Sequence, residues 1–133
     1  MRAPLVSDPR RTPTERPRDT ARGTGQGLRG KSIVIWTEFG FGDELMLCRF
    51  ATVFKRELGA ERVTVVCQSA IAPVLRILAD SDHVLEQERA GELPWHDFWV
   101  FPHSIPVHYS LEEHGVPASV PYLFADPQRV EHW

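Results

Sequence analysis

The sequence lacks any apolar run near the roughly 20 residues that a membrane-spanning helix needs. Its N-terminal arginines are followed by no hydrophobic stretch, so nothing there reads as a secretory signal. Cysteine is scarce: the chain has 2, Cys48 and Cys67, with no CxxC spacing. Two thiols alone cannot form a Cys-rich metal site, and they are expected as buried thiols of a reducing, cytoplasmic compartment. The 6 histidines are scattered at positions 83, 96, 103, 108, 114 and 132, without HxxxH or HExxH spacing, which argues against a zinc site. A basic surplus is also missing where a fold is expected. Residues 32–133 carry 7 Lys/Arg against 15 Asp/Glu, a net of -8, whereas residues 1–31 carry 8 against 3, a net of +5. An acidic folded part argues against nucleic acid as a partner, because phosphate neutralisation needs clustered Lys and Arg.

The 133 residues, 42% hydrophobic and 25% charged, suit one globular domain. Residues 1–31 read as a disordered tail: Pro4, Pro9, Pro13 and Pro17 break helices, and Gly23, Gly25, Gly27 and Gly30 loosen the remainder. The domain is expected over 32–133. Ser32-Ile33-Val34-Ile35-Trp36-Thr37 is continuously β-branched and aromatic, the pattern of a strand buried on both faces of a parallel sheet. A helix is expected from about Asp43 to Leu58, with Leu47, Phe50, Ala51, Phe54 and Leu58 as its apolar stripe and Gly59 as its stop. Arg62–Cys67 reads as a second strand, completing a βαβ unit. A second helix is expected in about 69–79, its regular part starting near Ala72 because Pro73 belongs in a first turn. His83–Glu86 and Trp95–Phe101 read as strands three and four, with loop between them at 87–94. Asp126 and Pro127 form an N-cap and first-turn pair for a closing helix. The fold class is therefore α/β, a Rossmann-like three-layer domain with a mostly parallel sheet.

Ligands of open parallel sheets bind beyond the carboxyl ends of the strands. The first such end here is Thr37-Glu38-Phe39-Gly40-Phe41-Gly42-Asp43-Glu44. Gly40 and Gly42 allow a sharp turn and close approach of backbone to a ligand. The GxGxxG fingerprint fails, because Leu45 stands at its third glycine. Asp43 and Glu44 place negative charge where a dinucleotide site would seat its pyrophosphate, which makes the loop a poor phosphate cradle. A carboxylate there suits a general base acting on a hydroxyl, and Asp43 equally suits a helix N-cap. Glu38 is either a solvated loop residue or a second carboxylate facing a ligand. Arg49 lies outside the apolar stripe, either paired with Glu38 or exposed. Trp36, Trp95 and Trp99 are expected in packing against the core or the sheet, the alternative being a platform on which a sugar stacks.

The stretch from Trp36 to Phe50, with its GxGD at Gly40-Phe41-Gly42-Asp43, resembles the first strand, loop and helix of heptosyltransferase-like glycosyltransferases, glycosyltransferase family 9. It is most similar to the form that follows tetratricopeptide repeats in bacterial proteins. Val63–Cys67, Pro73–Leu78, Asp97 through Ser104-Ile105-Pro106, and Pro117 through Pro121-Tyr122-Leu123 resemble later landmarks in the same order. The resemblance implies one half of a two-lobed GT-B fold, the half that faces the acceptor. It implies Asp43 as the base that deprotonates an acceptor hydroxyl, with Glu38, Gly40, Gly42, His103 and Ser104 lining the substrate cleft. It implies no metal or other cofactor. The expected partners are an acceptor glycan or protein and a nucleotide-sugar donor. The donor half is not found in residues 1–133, nor are repeats, so the chain is expected to be truncated and inactive alone, completed by a second Rossmann half or by self-association. The rival expectation is a non-catalytic Rossmann-like module that docks a partner protein.

Overall fold

The computed structural model describes residues 28–38, 40–78, 80–106, 115 and 120–133. Residues 1–27 of the expected 1–31 tail, Phe39 of the glycine loop, and Pro117 of the last landmark lie outside the described residues. Four strands form one parallel sheet: β1 (Ser32–Ile35), β2 (Arg62–Cys67), β3 (His83–Glu86) and β4 (Phe98–Val100). Their spatial order is β3-β2-β1-β4. The chain moves outward from β1 through β2 to β3, then returns to place β4 on the other side of β1. That is the strand order of a doubly wound α/β domain, and its reversal puts the topological switch point between β1 and β4. The fold is α/β, as the alternation of apolar runs predicts.

All four residues of β1 are buried, as continuous apolarity requires for a central strand. One sheet face, with Ile33, Ile35, Val63, Val65, Cys67 and Val100, packs in the main core. Leu47, Phe50, Ala51 and Phe54 supply the expected stripe in that same core. The helix itself differs from the uninterrupted one expected. α1 (Phe41–Leu47) starts two residues earlier, gives way to a turn at Cys48-Arg49, resumes as α2 (Phe50–Thr52) and widens into a π turn over Val53–Glu57. The widening, with Leu58 N–H donating to Val53 O at 3.0 Å, lets adjacent Val53 and Phe54 both turn inward. Gly59 then takes a positive φ of 71°, the left-handed stop that glycine favours.

A short 3₁₀ turn (Ser69–Ile71) leads into α3 (Ala72–Leu75), which begins where Pro73 fits the first turn. The second face of the sheet, with Val34, Thr64 and Val66, is also buried: a 3₁₀ turn at Gln87–Glu92 packs on β2, and His96 reaches Thr64. β4 is shorter than the expected Trp95–Phe101. Its first three residues are engaged outside the ladder: the Trp95 carbonyl accepts from Arg62, His96 bonds Thr64, and Asp97 accepts from both the N–H and the hydroxyl of Ser32. Trp95 is 55% exposed, against the expectation of packing, whereas Trp99 stacks edge-on with Phe101. The folded part also reaches further back than Ser32. Leu28 is buried in the main core, and Gly30 N–H donates to Gly59 O at 3.0 Å. α4 (Pro127–His132) starts at the expected cap, with Asp126 accepting from Gln128 N–H at 2.9 Å. Among the described residues no helix is long and apolar enough to cross a membrane.

Candidate functional site

The carboxyl ends of β1 and β4 lie side by side, and each hands its chain to a short turn. After β1 come Trp36, Thr37 and Glu38. After β4 come Phe101 and a 3₁₀ turn at Pro102–Ser104. Pro102 and Ile105 are buried, Ile105 to 1% exposure, so the apolar residues of Pro102-His103-Ser104-Ile105 anchor the turn while His103 stays on the rim.

His103 is where the rim converges. Its backbone N–H donates to Glu38 Oε2 at 3.3 Å, its ring Nδ1 lies 3.2 Å from the same oxygen, and Nε2 lies 3.2 Å from Asp43 Oδ1. Asp43 Oδ2 accepts the Gly40 N–H at 3.3 Å. All three side chains keep access to solvent, Asp43 and His103 at 38% and Glu38 at 23%. Four of the six expected site residues thus touch one another. Ser104 follows His103, half-buried, with its N–H donating to Phe101 O at 3.0 Å. Gly42 lies on the exposed side of α1, and a Cβ there would meet nothing within 4 Å.

Three local expectations need correction. Asp43 is not the N-cap. Gly40 is, and Asp43 is the third helical residue, its carboxylate reaching back to the cap N–H as one arm of a capping box does. Gly40 does not turn the backbone by special freedom, since its φ of -101° and ψ of 173° suit any residue. Arg49 stacks over the Tyr122 ring at 4.4 Å, and Glu38 faces His103. The Tyr122 hydroxyl donates to Leu45 O at 3.0 Å, fastening the Pro121-Tyr122-Leu123 segment onto α1. Asp97 of the same motif set braces Ser32 at the opposite, amino end of β1 and has no part in the rim.

Glu44 is the residue that sequence reasoning missed. It is only 4% exposed. Its Oε1 accepts from the Thr37 hydroxyl and, at 3.4 Å, from Gln68 Nε2, while Oε2 accepts the Gln68 N–H at 3.2 Å. Burial pushes its pKa above the ordinary carboxylate value, against the opposing pull of the Gln68 hydrogen bonds. The signal was present: position 44 precedes Leu47 by three residues and Ala51 by seven, so it belongs to the inward stripe. Consecutive acids at the start of α1 therefore brace the sheet in two directions, Glu44 toward the end of β2 and Asp43 toward the end of β4.

No family model, curated protein or solved structure matches the chain. The chemistry of the rim rests on its own residues. A carboxylate that is one-third exposed and hydrogen-bonded to a histidine is equipped to accept a proton from a hydroxyl brought within about 3 Å. With two carboxylates and one imidazole at its centre, the rim favours neutral or hydroxyl-rich ligands over phosphates.

Proposed function

We propose that residues 28–133 are the acceptor-side domain of a glycosyltransferase resembling glycosyltransferase family 9, with Asp43 as its base. In the reaction the acceptor O–H bond breaks toward Asp43, the oxygen bonds to the anomeric carbon of the donor, and the nucleotide leaves with the electron pair of the broken glycosidic bond. In this reading the nucleotide-sugar is held by a second Rossmann-like unit, because the acidic β1–α1 loop is unsuited to phosphate and transfer needs both substrates held together. What carries the reading is the meeting of Glu38, Asp43 and His103 at the switch point between β1 and β4, where doubly wound sheets bind ligands.

The test is a titration of the full chain with neutral oligosaccharides and with sugar phosphates, followed by amide NMR. Neutral sugars should shift the amides of Glu38, Gly40, Asp43, His103 and Ser104, and Asp43→Ala should abolish transfer once a nucleotide-sugar-binding unit completes the enzyme. Transfer at the wild-type rate in Asp43→Ala would remove the base assignment. A second reading, a non-catalytic docking module, is favoured by α4, which buries none of its residues, and by the exposure of Phe124, Val130 and Trp133. Capture of a protein with no sugar-induced shifts would favour that second reading.

A further inference from the structure

The imidazole of His103 has a carboxylate on each ring nitrogen. Glu38 Oε2 lies 3.2 Å from Nδ1 and Asp43 Oδ1 lies 3.2 Å from Nε2. The two acids flank one loop, and the histidine comes from another, 65 residues beyond Glu38 and 60 beyond Asp43. Without a donor between them the acids would face each other only as like charges. With the ring in place, each has a partner with an N–H to offer; an imidazolium satisfies both and a neutral ring one at a time. The ring is held from its own side as well, because Pro102 and Ile105 on either side of the turn are buried and the His103 N–H is tied to Glu38. Rotation of the ring therefore sacrifices at least one contact.

We infer that His103 is the positioning residue of this rim: its imidazole bridges Glu38 to Asp43, orients the Asp43 carboxylate, and ties the β1–α1 loop to the turn after β4. The role of the oriented carboxylate rests on the glycosyltransferase reading, but the bridge itself does not. His103 occupies one side of Oδ1, and the Gly40 N–H approaches Oδ2 at 3.3 Å. The remaining lone pairs of a one-third-exposed carboxylate then point in fixed directions, which is what a base needs in order to meet an incoming hydroxyl in register.

The experiment compares the full wild-type chain with His103→Leu and His103→Gln by NMR and amide hydrogen exchange. Leucine removes both donors, whereas the glutamine amide can still donate to a carboxylate. In His103→Leu the Glu38, Gly40 and Asp43 amides should shift and exchange about tenfold faster or more, while Ile33 and Val65 in the sheet keep wild-type protection. His103→Gln should restore the Gly40 and Asp43 signals at least in part. Wild-type behaviour at Gly40 and Asp43 in His103→Leu, or a glutamine variant indistinguishable from the leucine one, would overturn the inference. A measurement without substitution guards against a variant that misfolds: in the wild-type chain the His103 ring protons should show NOEs to the Asp43 β protons, and their absence would also overturn it. Sugar binding is read separately. Wild-type chain that ignores every sugar defeats the glycosyltransferase reading alone, and intact sugar binding with no His103 effect defeats this one alone.

Discussion

The backbone N–H of Gln68 donates to the buried carboxylate of Glu44 across 3.2 Å, joining the residue that follows β2 to the first helix after β1. Thr37 completes the brace from the end of β1 itself. A charged group is retained inside this small domain because three donors converge on it. Glu44→Ala leaves those donors without their acceptor and is expected to cost about 1–3 kcal/mol at neutral pH, measured by urea unfolding.

The titration of Glu44 has a definite sign. Burial raises its folded pKa above 4.5, so between 4.5 and the folded value the native state binds more protons than the unfolded chain. Its contribution is fully present below pH 4.5 and is lost as pH rises through the folded value. The stability advantage of wild type over Glu44→Gln should therefore be larger at pH 4 than at pH 7. An advantage that grows with pH would contradict the assigned cause.

His96 titrates in the opposite sense. Burial first, then the nearby charges of Arg62 and His83, push its pKa below the usual histidine value. The neutral ring fits the site when Nδ1–H donates to Pro94 O at 2.7 Å and the Thr64 hydroxyl donates to Nε2 at 2.8 Å. The unfolded chain takes up a proton near pH 6.5 and the native state resists it, so this contribution is lost as pH falls below 6.5 toward the folded value. The urea midpoint should drop between pH 7 and pH 5, and His96→Gln should flatten that drop.

Asp43 makes only a 3.3 Å contact to the cap N–H and a solvent-exposed contact to His103. Asp43→Ala is expected to lower stability by less than about 1 kcal/mol, while removing any sugar-induced shifts at Gly40 and His103 that the proposed function calls for. Ile105→Ala should do the reverse in degree: its side chain is 1% exposed, so it should cost about 2–5 kcal/mol and loosen the His103 turn with it. Thermal melts of the two variants side by side separate a rim residue from an anchor.

Cys48 and Cys67 are both buried and unpaired with each other, and burial pushes each thiol up to about 12. Near pH 8 neither should react with iodoacetamide in the native chain, and both should react in denaturant. Native labelling of either would show that the core opens around it.

Much of this architecture was readable before any coordinates. The β-branched run at Ile33–Ile35 demanded a doubly buried strand, Pro73 marked the start of its helix, and Asp126-Pro127 marked another. Helix interruption at Cys48-Arg49 and the π turn at Val53–Glu57 were not readable, because the stripe Leu47, Phe50, Ala51 and Phe54 keeps ordinary helical spacing across them. β4 was overestimated because Trp95 and His96 have strand-like propensity, yet Arg62 and Thr64 engage them outside the ladder.

Local pattern marked the core strands and where α3 and α4 begin, since hydrophobic periodicity and glycine and proline placement act over a few residues. The rim was decided only by tertiary structure. His103 meets Glu38 and Asp43 because β4 returns to the flank of β1 and not to the free edge beyond β3, and no short-range signal encodes that choice. It is the packing of apolar faces across the whole sheet that selects the strand order, and with it the side chains, 60 and 65 residues apart, that come to share a proton's reach.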